Sequence, residues 1–184
     1  MKKSKLIAFF LIINISIASI TSISSFATSP SDEDIAKKLI YMGIVTGYED
    51  GSLRLDKTIT RGEIATILTR ILHPNNISIS KLPFSDINEH WAKKSICEIE
   101  SLKIINGFED GTFKPNNPIT NAEAIAILSR ILKKEHLLDS SMEWPYNYLT
   151  LGVSLNFYKS PQESHNATRG EIFQLIFLSL QMQL

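Results

Sequence analysis

The stretch Ile119-Thr120-Asn121-Ala122-Glu123 has two related copies in the chain, Ile59-Thr60-Arg61-Gly62-Glu63 and Ala167-Thr168-Arg169-Gly170-Glu171. Each copy precedes an apolar run. Threonine followed three residues later by glutamate is a capping box, in which each residue's side chain accepts a hydrogen bond from the other's backbone N–H. Each copy therefore predicts the start of a helix. The predicted capping residues are Thr60, Glu63, Thr120, Glu123, Thr168 and Glu171.

The repeat extends beyond this motif. At an offset of 60 residues, Gly47–Gly51 matches Gly107–Gly111, and Ile67–Leu72 matches Ile127–Leu132. Repetition at such a period is typical of units that bury their apolar faces against one another. We therefore expect an all-α fold, or nearly so, in which three helices form a central bundle.

A third copy is shorter. Asp86 and Trp91 match Asp139 and Trp144 at an offset of 53 residues, whereas the Thr-x-x-Glu motifs of these copies lie 48 residues apart. The third copy thus lacks five residues, including the Asp-Gly turn. The sequence predicts units at residues 28–72, 83–132 and 136–184, the last of them degenerate with a shortened loop.

Residues 1–27 have the pattern of a secretory signal peptide. Three lysines precede the apolar stretch 6–20, and small residues stand before a predicted cleavage site at Thr28. An uncleaved membrane anchor is the alternative, but the apolar stretch is short for a span and contains Asn14. We expect a secreted protein with no transmembrane segment after cleavage.

Composition disfavours several classes of function. Without the leader the chain would have a net charge near −3 and no basic stripe, so we expect no nucleic acid partner. The four histidines lack metal-ligand spacing, and no carboxylate pair, nucleophile or phosphate loop is evident. Cys97, the only cysteine, is expected to be a small, half-buried residue. We predict no enzyme activity, no metal and no cofactor.

The second unit resembles the surface-layer homology (SLH) repeat, which usually occurs as three tandem copies in cell-envelope proteins of Gram-positive bacteria. The resemblance covers nearly all of the chain after its leader. It implies a pseudo-threefold helical spindle with ligand grooves between its prongs. The residues that carry it are Phe84-x-Asp86, His90-Trp91-Ala92, Gly107-x-x-Asp110-Gly111-Thr112-Phe113-x-Pro115 and Ile119-Thr120-x-Ala122-Glu123.

The resemblance also implies a binding site. Arg61 and Arg169 stand at the first helical position, where unpaired backbone N–H groups favour anions. In the family the corresponding arginine is implied to bind a carboxylate of secondary cell-wall polysaccharide, typically a pyruvate ketal on N-acetylmannosamine. Asn121 has no charge, so the sequence predicts a weaker second site. We expect both arginines to be exposed and dispensable for folding.

Four further residues are candidates for the groove, each with a structural alternative. Gly47 and Gly107 either form turns or let a sugar approach the backbone. Trp91 and Trp144 are more readily interpreted as core anchors than as stacking platforms for sugars. Asp86 and Asp139 are expected to cap helices.

The sequence therefore predicts non-covalent attachment to the cell wall, with avidity from several sites that act together. Two other hypotheses remain open. One is a secreted scaffold or assembly subunit that has lost sugar binding, which Asn121 and the degenerate third unit favour. The other is a wall-remodelling hydrolase, which is disfavoured because we expect no further domain after the last helix.

Overall fold

The computed structural model describes residues 30–73 and 82–182. The predicted leader, residues 1–27, lies outside them. The described chain contains no strand or sheet, which confirms the expected all-α class. Its helices are α1 (Asp32–Tyr41), α2 (Arg61–Leu72), α3 (Lys93–Ser101), α4 (Asn121–Ile131), α5 (Tyr146–Ser154) and α6 (Arg169–Gln181), with a 3-10 turn at Glu135–Leu137.

The three longest helices, α2, α4 and α6, all begin with a capping box. In each, the threonine side chain accepts a hydrogen bond from the glutamate N–H, and the glutamate carboxylate accepts one from the threonine N–H. Helix α1 begins in the same way with Ser31 and Asp34. These local side-chain bonds satisfy backbone groups that a helix start leaves unpaired, and so they fix where each helix begins.

A closed ring of backbone hydrogen bonds joins the starts of α2, α4 and α6. The Ile59 N–H donates to Ala167 (3.1 Å), the Ala167 N–H donates to Ile119 (2.9 Å), and the Ile119 N–H donates to Ile59 (3.0 Å). All three residues are fully buried. The residue that precedes each capping threonine therefore ties the three helix starts into one cyclic arrangement.

Helix packing follows the same cyclic order. Helix α3 packs against α2, α5 packs against α4, and α1 packs against α6, so the first helix closes the ring with the last. Helix α4 also packs against α6, whereas α2 lies less closely against both. The three expected central helices are therefore tied at their starts, but of these three only α4 and α6 pack closely against each other.

One continuous apolar core fills this arrangement. It includes Leu68 on α2, Ile125 on α4 and Phe173 on α6, each at most 1% exposed. No helix within the described residues is long and apolar enough to span a membrane.

The structure corrects the expected start of α3. The residue before this helix, Ala92, makes no side-chain capping bond. Asp86 instead accepts hydrogen bonds from the N–H groups of Phe113 and Lys114, both at 2.8 Å. These bonds hold the loop that leads to α4. Asp139 likewise accepts bonds in a local turn, from Ser141.

Left-handed residues end the short helices, as expected for this position. Gly43 follows α1 with φ 72°, and Asn156 follows α5 with φ 57°. Lys103 takes the corresponding place after α3 with φ 57°, although a lysine there is strained by about 1 kcal/mol.

Candidate functional site: grooves between the helical units

Arg61 and Arg169 are buried, and the expectation that they are exposed is wrong. Each is only 5% exposed, because its guanidinium points into the neighbouring unit. The side chain of Arg61 donates hydrogen bonds to the carbonyls of Phe113 (2.9 Å) and Asn106 (2.8 Å) and to the Glu123 carboxylate (3.0 Å). Burial lowers the pKa of Arg61, while the charges of Glu123 and Asp86 raise it.

Arg169 repeats this arrangement at another boundary between units. Its Nε donates to the Leu53 carbonyl at 3.0 Å, and its Nη1 donates to Glu63 at 2.9 Å. Its Nη2 lies 3.4 Å from the Thr46 carbonyl. Both arginines therefore tie units together and already have partners at every side-chain nitrogen.

The capping glutamates have two functions, one for each oxygen. Oε2 of Glu123 caps α4 through the Thr120 N–H, and its Oε1 accepts from Arg61. Glu63 divides its oxygens in the same way, between Thr60 and Arg169. A single carboxylate thus couples the start of a helix to the arginine of an adjoining unit.

The third such boundary uses histidine instead of arginine. Oε1 of Glu171 is 2.8 Å from Nε2 of His165, while Oε2 caps α6. Asn121, fully buried, donates to the Glu163 carbonyl at 3.0 Å and accepts from the His165 N–H at 3.1 Å. Asn121 and His165 together therefore occupy the place that an arginine fills elsewhere.

Two grooves open beside the arginine contacts, and we call them the first and the second groove. The first has a volume of about 440 Å³. Its floor includes Glu63 and Arg169, and its rim includes Arg70 of α2 and Trp91. The remaining lining residues are Val45, Thr46, Gly47, Tyr48, Thr60, Thr66, Ile67 and Asn116.

The second groove, of about 210 Å³, is built from corresponding residues. Arg61 and Glu123 form its floor, and Arg130 of α4 and Trp144 stand where the first groove has Arg70 and Trp91. Its other lining residues are Ile105, Asn106, Ala126 and Ile127. The repeat has thus produced two related grooves, each with an arginine and a tryptophan beside a buried ion pair.

Both tryptophans are exposed, so their expected role as core anchors is wrong. Trp91 is 64% exposed and Trp144 is 52% exposed. Leu102, just after α3, is also exposed, whereas Ile96 and Ile99 within the helix are buried. The indole rings are therefore available to a ligand, and aromatic faces of this kind can stack on sugar rings.

The two glycines of the predicted groove differ in their surroundings. A Cβ on Gly107 would lie 2.1 Å from the Phe84 ring and 2.7 Å from the Thr112 carbonyl oxygen. A Cβ on Gly47 would meet its nearest atom, the Ser52 carbonyl oxygen, at 3.3 Å. Neither glycine has a positive φ. Gly107 is thus needed for close packing of its own loop, and Gly47 lines the first groove.

Position 178 distinguishes α6 from α2 and α4. The residue that corresponds to Arg70 and Arg130 is Leu178, and Asn121 replaces the buried arginine at the same boundary. This side of the molecule therefore has neither of the arginines found at the two grooves. Among the described residues, no group of three or more His, Cys, Asp or Glu side chains could hold a metal ion.

Comparison with known proteins identifies the repeated unit. Residues 27–65 and 83–125 match the S-layer homology domain family. These two segments are S-layer homology domains. Helix α2 with its capping box begins in the first segment, and α3 with the start of α4 lies in the second.

Several curated proteins are similar in sequence to this chain. The middle cell wall protein of Brevibacillus brevis is 31% identical over 157 residues, which are 83% of this chain and 15% of the relative. The cellulosome-anchoring protein of Acetivibrio thermocellus is 33% identical over 125 residues, 61% of this chain and 28% of the relative. An S-layer protein of Bacillus thuringiensis subsp. finitimus is 30% identical over 112 residues, which are 59% of this chain and 14% of the relative.

The present chain spans less than a third of the length of each of these three relatives. By name, these relatives are a cell-wall protein, a cellulosome-anchoring protein and an S-layer protein. The matches therefore place this chain among cell-envelope proteins.

Sequence reasoning did not single out Arg70 and Arg130 as site residues. The signal was present, because both stand in the repeated segment Ile-Leu-Thr/Ser-Arg-Ile-Leu at the 60-residue offset. An arginine among four apolar residues of a helix is conspicuous, but only the folded structure shows that it borders a groove.

Proposed function

We propose that this protein attaches non-covalently to the cell wall by binding secondary cell-wall polysaccharide, and that the recognised group is the carboxylate of a pyruvate ketal. Residues 136–184 act in this proposal as a third S-layer homology repeat, which completes the cyclic arrangement. The supporting observation is the first groove, which is lined by both a cation, Arg70, and an exposed indole ring, Trp91.

Arg70 is the cation best suited to the carboxylate. Among the described residues its Nη1 makes one long contact, 3.5 Å, to the Ile44 carbonyl, and no described carboxylate pairs with it. Residues 1–29, 74–81 and 183–184 contain neither Asp nor Glu, so they offer no acidic side chain. A planar guanidinium with free donors can form two parallel hydrogen bonds to a carboxylate.

Arg169 supports the site from the groove floor, and Arg61 has the same place in the second groove. A carboxylate could bind either residue directly only by displacing Glu63 or Glu123. The buried arginines therefore hold the groove walls in position, and they affect ligand affinity through the shape of the groove and not through direct contact. Asn121 belongs to a boundary without an arginine, and we assign it no ligand.

Trp91 would provide the other half of the recognition. Its exposed ring lies on the rim of the groove that contains Arg70. A pyruvylated sugar has an apolar ring face and a charged substituent, so it can stack on the indole and reach the guanidinium together. This pairing of groups favours an anionic sugar over a neutral one.

The alternative proposal is a scaffold that acts through protein contacts. A specific observation favours it: Leu137, Met142, Trp144 and Tyr146 expose apolar surface on the side of the molecule near α5. The paired arginines of the second groove are compatible with it too.

Co-sedimentation with purified cell-wall sacculi separates the two proposals. Three preparations are needed: walls with pyruvylated polysaccharide, walls from a strain that cannot pyruvylate, and walls stripped of polysaccharide. We expect the protein to sediment with the first and to remain soluble with the other two. Equal sedimentation with all three would contradict recognition of the ketal, and no sedimentation would support the scaffold.

A further inference from the structure

The two grooves contain the same pair of residue types but differ in charge. In the first groove Arg169 is paired with Glu63, and Arg70 has no carboxylate partner within the part of the chain that the structure describes. In the second groove Arg61 is paired with Glu123, and Arg130 is paired with Glu135. The first groove therefore has one uncompensated positive charge, and the second has none.

Glu135 occupies the donor that an incoming carboxylate would use. Arg130 directs its Nη1 to the Ile104 carbonyl at 3.1 Å, as Arg70 directs its own to Ile44. The Nε of Arg130 donates to Oε1 of Glu135 at 3.1 Å, whereas the Nε of Arg70 has no described partner. The two arginines thus have matched backbone contacts, and Glu135 is the difference between them.

A second residue holds Glu135 in place. The Tyr148 hydroxyl donates to the same Oε1 atom at 2.7 Å. Burial, together with the hydrogen bond to Glu135, raises the pKa of Tyr148, so this hydroxyl keeps its proton and remains a donor. Tyr148 also lies edge-on to Trp144, with ring centroids 5.6 Å apart. The internal carboxylate is therefore fixed beside the tryptophan of the second groove.

The positions that correspond to Glu135 and Tyr148 in the preceding copies of the repeat hold different residues. At the 60-residue offset, the position of Glu135 corresponds to Asn75, and at the 53-residue offset Tyr148 corresponds to Ser95. The carboxylate and the hydroxyl that holds it are both specific to the second groove. Their joint presence makes an accidental surface ion pair a poor explanation.

We propose that Glu135 is an internal competitor for anionic ligands, which closes the second groove to a carboxylate-bearing sugar and leaves the first groove as the selective site. This inference rests on the proposed function, since it names which groove binds the ligand. The second groove is also about half as large as the first. It would accept a carboxylate only after the Glu135 side chain has left Arg130.

The chain contains a reporter for each groove. Its two tryptophans are Trp91 in the first groove and Trp144 in the second. Labelling with 5-fluorotryptophan gives two ¹⁹F resonances, which Trp91→Phe and Trp144→Phe assign. Titration with a synthetic methyl glycoside of 4,6-O-pyruvyl-N-acetylmannosamine then follows both grooves in one sample.

In the wild type we expect the Trp91 resonance to shift and the Trp144 resonance to remain unchanged. In Glu135→Gln the Trp144 resonance should also shift, with affinity at the second groove raised by at least about tenfold, because the competing charge is gone. Arg70→Gln should abolish the Trp91 response, and Arg130→Gln should leave it intact. Glu143→Gln removes an acidic residue from the same region without touching Arg130 and is the matched control.

Two results would overturn the inference. One is a Trp144 resonance that responds in the wild type as strongly as the Trp91 resonance does. The other is a Glu135→Gln variant whose Trp144 resonance stays unresponsive while its near-UV circular dichroism shows a native fold. Failure of the proposed function looks different: the protein does not sediment with pyruvylated walls, although the Trp91 resonance responds to the glycoside.

Discussion

The guanidinium of Arg61, at the start of α2, donates a 3.0 Å hydrogen bond to Glu123, the glutamate that caps α4. This contact crosses 62 positions of sequence. It explains why one motif contains both an arginine and a glutamate: the glutamate starts its own helix and also receives the arginine of another unit. The structural role of the motif is therefore cyclic closure as well as capping.

Arg61→Ala should destabilise the protein. Removing the buried arginine leaves Glu123 and two carbonyls without their partner, and breaking a buried pair in this way typically costs roughly 3–5 kcal/mol. Urea denaturation followed by circular dichroism measures the free energy of unfolding. Lys37→Ala is the control, because the Lys37–Glu33 pair is 68% and 71% exposed and should contribute less than about 1 kcal/mol. Equal stability of wild type and Arg61→Ala would show that the arginine does not tie the units.

The His165–Glu171 contact should make stability depend on pH. Burial lowers the pKa of His165, but its hydrogen bonds to Glu171 and to the Glu163 carbonyl, with the charge of Glu171, raise it above its usual value overall. Burial raises the pKa of Glu171, yet its bonds to Thr168 and His165 lower it overall. The uncharged Asn121 on α4 also faces this contact. Tyr158 lies near Glu171 too, and burial together with the charge of Glu171 raises the pKa of Tyr158 to about 12.

The directions of these two pKa shifts determine how stability changes with pH. The raised histidine pKa stabilises the fold fully below pH 6.5, and this stabilisation is lost as pH rises through the folded value. The lowered glutamate pKa stabilises the fold above pH 4.5, and this stabilisation is lost as pH falls through the folded value. The melting temperature should therefore fall between pH 6 and pH 8, and less so in His165→Gln. An identical pH profile for the two proteins would contradict this role for His165.

Asn121→Arg alone should destabilise the fold, although the motif suggests that arginine belongs there. Asn121 is fully buried, and its amide already bonds the segment around His165. A guanidinium would compete with the imidazole for Glu171. The double substitution Asn121→Arg with His165→Ala should restore the arginine–glutamate pair and recover stability. Thermal melts of the single and the double variant test this prediction. A double variant no more stable than the single one would show that Asn121 and His165 do not together replace the arginine of the other boundaries.

Gly107→Ala should be more harmful than Gly47→Ala. The added methyl group would overlap the Phe84 ring and the Thr112 carbonyl, and overpacking of this kind costs roughly 1–3 kcal/mol. At Gly47 the nearest atom is 3.3 Å away, so a small adjustment is sufficient. Denaturant midpoints for the two variants provide the comparison. A larger loss at Gly47 would mean that its loop is packed more tightly than the structure indicates.

The helix starts could be predicted because a capping box is a local feature. Thr60 and Glu63 are three residues apart and determine the start of α2 by themselves. The partners of Arg61 and Arg169 could not be predicted in this way, since Arg169 meets Glu63 across 106 positions, and only closure of the ring brings them together. An arginine at a helix start looks exposed until a neighbouring unit covers it.

The tryptophans were misjudged for a related reason. Trp91 lies at a spacing that suggests the inner face of a helix, but α3 begins only at Lys93. Trp91 therefore precedes the helix, and its ring is exposed. The candidate site in the structure therefore differs from the one that the sequence predicts. The expected arginines form the floors of the grooves, and Arg70, seven residues after Glu63 on α2, is the accessible cation.

The most direct test compares the affinity of wild type and Arg70→Gln for walls that contain pyruvylated polysaccharide, with melting temperatures measured on the same samples. The account predicts that Arg70→Gln loses roughly tenfold or more in affinity, as expected for a lost charge-assisted contact, and melts like the wild type. An Arg70→Gln variant that melts normally and binds these walls as tightly as the wild type would contradict it.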